Sequence, residues 1–228
     1  MPLTVTEDIQ LEADFWVERW KNNQIGFHQE TINRHLEEYW RHLDVPKGST
    51  VFVPLCGKSL DMLWLVDQGY RVLGVELSHA AVESFFKENS LDVEVTEENG
   101  LRLWKGEQIS IYEGDFFSLT KEQLFGVSAV FDRASLIALP DWMRCDYVDG
   151  LKKLLKPTTG MLLITLVYDQ DEMQGPPFSV SAEEVGQLYK GWCDLEEIAS
   201  IDALAEEPGF MKKGLTSLQE KVFTLSVR

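Results

Sequence analysis

The sequence predicts an α/β fold in which a mostly parallel sheet carries helices on both faces. Three observations lead there. From residue 50 onward, short apolar runs of strand length alternate with longer amphipathic segments of helical period. Turn and cap signals separate these segments, and nothing between them reads as a linker or an internal repeat. Strand–helix alternation of this kind is the pattern of a sheet covered on both sides, with ligands bound beyond the carboxyl ends of its strands.

Before that alternation the chain reads as two helices. Phe15, Trp16 and Trp20 form an aromatic stripe, and Ile32, Leu36, Tyr39, Trp40 and Leu43 recur at helical spacing. A polar loop, residues 21–28, lies between them with Phe27 at its tip. His28, His35 and His42 are seven apart and are expected on one solvated or half-buried helical face, since metal ligands would need closer spacing and acidic help. After the Pro46-Lys47-Gly48 turn come a strand at Thr50–Val53, a helix facing inward through Leu60, Leu63 and Trp64, and a strand at Arg71–Leu77. A helix at Ala80–Asn89 buries Val82, Phe85 and Phe86, and short strands flank Asn99-Gly100. Further strands are predicted at Ile109–Tyr112, Val127–Phe131 and Met161–Val167, with a closing pair at Leu195–Ile201 and Lys221–Val227. Pro140 is placed at the first position of a helix packed through Met143, Tyr147, Leu151 and Leu155, and Ser181 with Glu184 forms a capping box.

Length and charge narrow the function. A chain of 228 residues fits one domain over 1–228, with 1–45 as an N-terminal helical lid and 46–228 as the core. The formal net charge of −17, with dispersed Lys and Arg, disfavours nucleic acid and favours a small-molecule partner. No stretch approaches the roughly 18 apolar residues of a membrane span. Glu7, Asp8, Glu12, Asp14 and Glu18 give the N-terminus the wrong charge for a signal or transit peptide, so a cytoplasmic protein is expected. Nothing demands more than a monomer. Cys56, Cys145 and Cys193 are too few and scattered for a disulfide framework or a zinc site, and no metal is expected. Cys56, beside a glycine in a loop, reads either as a reactive thiol or as a small packing residue.

The loop after the first strand discriminates between cofactors. A phosphate-binding loop needs G-x-x-x-x-G-K-[ST]; residues 52–59 end in Gly57-Lys58-Ser59 but begin with Phe52. A dinucleotide fold needs G-x-G-x-x-G, and only Gly57 is present. S-adenosylmethionine has no phosphate, so one small turn suffices, but its ribose presents two hydroxyls. Glu76 closes the second strand 19 positions after Gly57, where a carboxylate can accept from both. The alternative is a solvated strand-end glutamate. Asp115 and Phe116 follow the Ile109–Tyr112 strand, where a polar group and an aromatic could clamp the adenine.

With Val51-Phe52-Val53-Pro54-Leu55-Cys56-Gly57-Lys58-Ser59 and Val72-Leu73-Gly74-Val75-Glu76 in view, the chain resembles the thiopurine S-methyltransferases of the shorter bacterial type. Trp16-Val17-Glu18-Arg19-Trp20, Gly26-Phe27-His28-Gln29, Phe131-Asp132-Arg133 and Gly175-Pro176-Pro177-Phe178 extend the resemblance along nearly the whole chain. It implies a Rossmann-like, seven-stranded methyltransferase sheet whose last strand is antiparallel, and an N-terminal segment covering the site. It also implies cofactor contacts at Trp16, Leu55, Glu76, Asp115, Phe116 and Arg133, with Phe27 at the substrate. The implied reaction moves a methyl group from S-adenosylmethionine to an aromatic or heterocyclic thiol. Pro176-Pro177 is read as a lid or wall of the substrate pocket.

A heteroaromatic thiol is substantially ionised near neutral pH and the thiolate is the nucleophile, so no catalytic base is assigned. Arg133 is placed at the substrate as well, stabilising the thiolate or positioning the substrate through a water; the competing role is a salt bridge with Asp132 or another acid. The residues alone leave open a non-catalytic S-adenosylmethionine-binding module, or an enzyme acting on oxygen, nitrogen or inorganic selenium or tellurium species.

Overall fold

A computed structural model describes residues 5–228, with side chains described from residue 12; residues 1–4 of the expected lid segment lie outside the described part. Two helices come first, α1 (Val5–Lys21) and the short α2 (Arg34–Tyr39), whose N-cap Asn33 accepts from the amides of His35 and Leu36. The alternating part follows: β1 (Thr50–Val53), α3 (Asp61–Asp67), β2 (Arg71–Glu76), α4 (His79–Glu88), β3 (Glu94–Glu98), β4 (Leu101–Lys105), β5 (Ile109–Glu113) and β6 (Val127–Arg133). The chain ends with α5 (Asp141–Leu154), β7 (Gly160–Val167), α6 (Ala182–Tyr189), β8 (Cys193–Asp202), α7 (Pro208–Lys212) and β9 (Gln219–Val227).

The nine strands among the described residues join one sheet, in the order β3-β4-β5-β2-β1-β6-β7-β9-β8. The run β5-β2-β1-β6-β7 is parallel, and β9 inserts antiparallel between β7 and β8. The seven expected strands are thus present, with β9 reversed. Two more are added because the β3–β4 hairpin pairs antiparallel onto β5. That hairpin turns at Asn99 (φ 51°) and Gly100 (φ 80°), the left-handed pair that a two-residue turn demands. Its outer strand β3 is wholly exposed and rich in Glu, which suits an unpaired edge.

Alternate residues of each strand feed two cores. Val51, Val53, Ala129, Phe131, Leu162 and Ile164 pack with α2, α3 and α4, whereas Phe52, Val130 and Leu163 pack with α5 and α6. Both faces are therefore covered. α4 buries Val82, Phe85 and Phe86, and α5 buries Met143, Tyr147 and Leu151, as their spacing predicts. The expected face of α3 is corrected: Met62 and Leu65 are fully buried, whereas Leu63 and Trp64 lie on its flank. Leu60 is the N-cap rather than a helical residue, so the pattern was phased from the wrong starting point. Pro140 likewise sits at the N-cap, one residue before the first helical position. The Ser181 hydroxyl accepts from the Glu184 amide at 3.2 Å, but the Glu184 carboxylate turns to Arg144 (2.6 Å), leaving half a capping box. The three histidines do not share a face: His28 is in the loop, His35 is buried against Glu220 (2.6 Å), and His42 is exposed.

The chain runs from β1 outward to β2 and β5, then returns to β6 on the other side of β1. This reversal is the switch point where the carboxyl ends of the strands part into a crevice. Register places Val53 beside Gly74, so Glu76 stands beyond the end of β1.

Candidate active site

The turn after β1 is tied to β2 from end to end. Cys56 N donates to Val75 O (3.0 Å) and Gly57 N donates to Glu76 Oε2 (2.8 Å). Leu55 (φ 45°) and Gly57 (φ 53°) both lie in the left-handed region. At Gly57 a Cβ would also fall 2.8 Å from Trp20 Cζ2, so both backbone and space require glycine. Cys56 is a packing residue: it is buried, a Cβ at Gly74 would meet its Sγ at 2.7 Å, and burial with nearby Glu76 pushes its thiol well above the ordinary range.

Glu76 is 6 % exposed, which rules out a solvated strand end. Its Oε1 accepts from Ser78 N (2.8 Å) and its Oε2 from Gly57 N (2.8 Å). Burial raises the carboxyl's pKa and these amides act against that rise. Each oxygen keeps a further acceptor direction, enough for two vicinal hydroxyls.

Two cavities meet at this point. The larger, about 1070 Å³ including its open mouth, is bordered by Trp16, Phe27, Leu55, Glu76, Arg133 and Pro176-Pro177. The smaller, about 560 Å³, is bordered by Asp115, Phe116, Tyr147 and Met143. Trp16, Leu55 and Leu77 border both and form the waist between them. All seven residues singled out from the sequence therefore line this pair of cavities. Asp115 Oδ1 accepts from Phe117 N (3.0 Å), and Phe116 lies 4.8 Å from the Tyr147 ring, in space left by the missing side chain of Gly150.

The N-terminal segment supplies the outer wall. Phe27 packs edge-on between Trp16 (5.3 Å) and Trp20 (5.4 Å). Opposite, the Pro176-Pro177 wall is pinned by Tyr168 Oη donating to Pro177 O (2.6 Å) and Phe178 N donating to Ile137 O (2.7 Å). Trp16 Nε1 and Arg19 Nε are buried without a hydrogen-bond partner. Orphaned donors at a cavity wall are what a bound polar ligand would satisfy.

Arg133 and Asp132 end β6 on opposite faces, and the alternative salt bridge between them is not formed. Asp132 is fully buried and accepts from Tyr147 Oη (2.7 Å) and Leu136 N (3.3 Å); burial pushes its carboxyl up to about 6. Arg133 faces the larger cavity and makes no hydrogen bond or ion pair among the described residues. Burial lowers its pKa, against the pull of Asp61, Glu220 and Glu207. Sequence reasoning passed over Arg19, His28, Lys58 and Asp61, which line the same cavity. Arg19 and His28 lie inside motifs already singled out, beside residues that were chosen, so adjacency was the available signal. Among the described residues no cluster of His, Cys, Asp and Glu is placed to hold a metal ion, and no helix is long and apolar enough to cross a membrane.

A doubly wound sheet with β9 reversed, opening at its switch point onto a carboxylate rather than a phosphate cradle, defines a Rossmann-like methyltransferase that uses S-adenosylmethionine. The orphaned donors, the paired cavities and the free acceptor directions of Glu76 all fit that molecule. Comparisons agree. A family model for thiopurine S-methyltransferase matches residues 11–228. A thiopurine S-methyltransferase of Nitrosospira multiformis is 48% identical over 218 residues, covering 96% of this chain and 99% of that one. One of Pseudomonas putida is 45% identical over 216 residues, covering 95% and 100%. Among solved structures, the 1,6-didemethyltoxoflavin-N1-methyltransferase of Burkholderia thailandensis shares the fold, with TM-score 0.67 at 15% identity over 100% of this chain and 92% of that one. The chain belongs to the thiopurine S-methyltransferase family and is an S-adenosylmethionine-dependent methyltransferase.

Proposed function

We propose that the enzyme methylates the sulfur of small aromatic or heterocyclic thiols and releases S-adenosylhomocysteine. The observation that carries this reading is Arg133, a cation with no hydrogen bond or ion pair among the described residues, lining a cavity walled by Trp16, Phe27 and the two prolines. An aromatic wall suits a flat acceptor ring, and a half-buried cation at the cavity wall suits a thiolate. The names of the relatives point to the same chemistry.

In this reading Glu76 accepts from the two ribose hydroxyls, and Asp115 with Phe116 holds the adenine in the smaller cavity. Trp16 and Leu55 form the waist beside the methionine part, Phe27 touches the acceptor ring, and Arg133 spans the cofactor and acceptor ends. When bound, S-adenosylmethionine supplies a methyl carbon already activated by a sulfonium. The chain's own contribution is alignment and exclusion of water, which for well-oriented pairs is worth on the order of 7–11 kcal/mol. The described residues form one domain, in which the part of the 1–45 segment that is described acts as a lid over the 46–228 core. The protein works as a cytoplasmic monomer on small molecules, without nucleic acid.

The test is mass spectrometry of S-adenosylhomocysteine formation across thiols, phenols, amines and selenium or tellurium oxyanions. Aryl thiols should lead the panel. Preference for an oxyanion or an amine would replace this reading, and no turnover with any acceptor would leave a binding module.

A further inference from the structure

From the open side of the larger cavity, we infer that His28 accepts the acceptor's proton, extending methyl transfer to thiols that are not ionised at neutral pH. The inference rests on the thiol-methylating reading. It starts from what each polar group in the cavity already does. The carboxylate oxygens of Glu76 accept from Gly57 N and Ser78 N, and those of Asp61 accept from Asn33 N (2.7 Å) and the Ser59 hydroxyl (2.9 Å). Lys58 is paired with Glu88 (2.8 Å), and Arg19 and Arg133 are donors only. Cys56 is buried and held protonated. The His28 imidazole is left: it lines the cavity next to Phe27 and makes no side-chain hydrogen bond among the described residues. The two carboxylate-bound histidines differ, since His35 meets Glu220 (2.6 Å) and His79 meets Glu113 (3.0 Å).

The charge around His28 favours the neutral ring. Its pKa is lowered by burial first, then by Lys58 and Arg133, while Glu88 and Glu30 act in the opposite direction. A neutral imidazole offers one acceptor nitrogen at pH 7. The step balances as follows. The acceptor's S–H bond gives its proton to a ring nitrogen of His28, and the freed sulfur pair forms the new S–CH3 bond. As it forms, the methyl–sulfonium bond breaks and leaves its electron pair on the sulfur of S-adenosylhomocysteine. The imidazolium then releases its proton to water through the open mouth.

The experiment compares 4-nitrothiophenol, a thiolate at neutral pH, with benzyl mercaptan, a thiol at neutral pH, in the wild type and His28→Asn. General-base loss is typically 100-fold or more. The expected result is a kcat fall of about 100-fold on benzyl mercaptan and only a few-fold on 4-nitrothiophenol. A second readout needs no turnover: in the dead-end complex with S-adenosylhomocysteine, the imidazole NMR signal of His28 should shift when benzyl mercaptan binds. Equal losses on both acceptors, no loss on either, or an unmoved imidazole signal would overturn the inference while leaving the thiol reading intact. A wild type that turns over neither thiol would overturn that reading and this inference with it.

Discussion

Replacing Glu76 with alanine removes the buried carboxylate that bridges the β1 turn and the start of α4. Both of its oxygens hold backbone amides, at 2.8 Å each, and each keeps an acceptor direction toward the cavity. A hydrogen bond to a charged group contributes about 1.5–3 kcal/mol. Two ribose hydroxyls at the lower limit give about 3 kcal/mol, or roughly 150-fold in affinity. Water entering the vacated space offsets part of this, so tenfold is the floor. The alanine variant also strands Gly57 N and Ser78 N, which lowers stability by about 1–3 kcal/mol per amide left unsatisfied. Calorimetry with S-adenosylhomocysteine, on protein shown to be folded by circular dichroism, reads the affinity separately from that loss. Glu76→Gln should fall between wild type and alanine, because one oxygen remains. An unchanged Kd in folded Glu76→Ala would refute the assignment of the ribose to this carboxylate.

Other perturbations separate the remaining roles. Arg133→Met should lower kcat/KM for an aryl thiol by about 100-fold, the order of one lost transition-state charge contact, and steady-state kinetics would show it; an unaltered kcat/KM would take Arg133 away from the acceptor. Hydrogen exchange around residues 14–28 should be fast in the free protein and slow with S-adenosylhomocysteine bound, whereas equal protection in both states would make Trp16 and Phe27 permanent core packing. Asp132 tests burial through pH. Its carboxyl rises from 3.8 to about 6 in the folded state, so the native protein holds the extra proton between those values. Stability from this group is full below about pH 4 and is lost as pH rises through 6, by about 3 kcal/mol in total. Asp132→Asn should therefore flatten the fall in Tm between pH 4.5 and 7.5, and an unchanged slope would contradict the buried, proton-holding carboxyl.

The parallel sheet was legible because its strands are short apolar runs, and Glu76 because a charged residue ending such a run has a restricted set of uses. Of the residues singled out, Leu55, Glu76, Asp115, Phe116 and Arg133 lie at or just beyond strand ends, where the fold class places ligands, whereas Trp16 and Phe27 precede the sheet and were named through the family resemblance. What escaped depended on three-dimensional neighbours. The phase of α3 was misread because Leu60 is apolar yet caps the helix. The β3–β4 strands were visible as strands, but their attachment to the β5 edge, which makes nine, is a tertiary choice. Whether Arg133 pairs with Asp132 was undecidable in one dimension, and alternation along β6 settles it by sending them to opposite faces. His28 was grouped with His35 and His42 by spacing, although the loop breaks the helical register between them.

Incubating the enzyme with methyl-deuterated S-adenosylmethionine and 4-mercaptophenol tests the proposed chemistry most directly, since one ring offers both a thiol and a hydroxyl. Because the aryl thiol is far more acidic than the phenol, and its sulfur is the stronger nucleophile toward a sulfonium methyl, the label should appear on sulfur alone, as the trideuteromethyl thioether, with equimolar S-adenosylhomocysteine. Label on the phenolic oxygen, or cofactor left unconsumed, would contradict sulfur methylation as the function of this site.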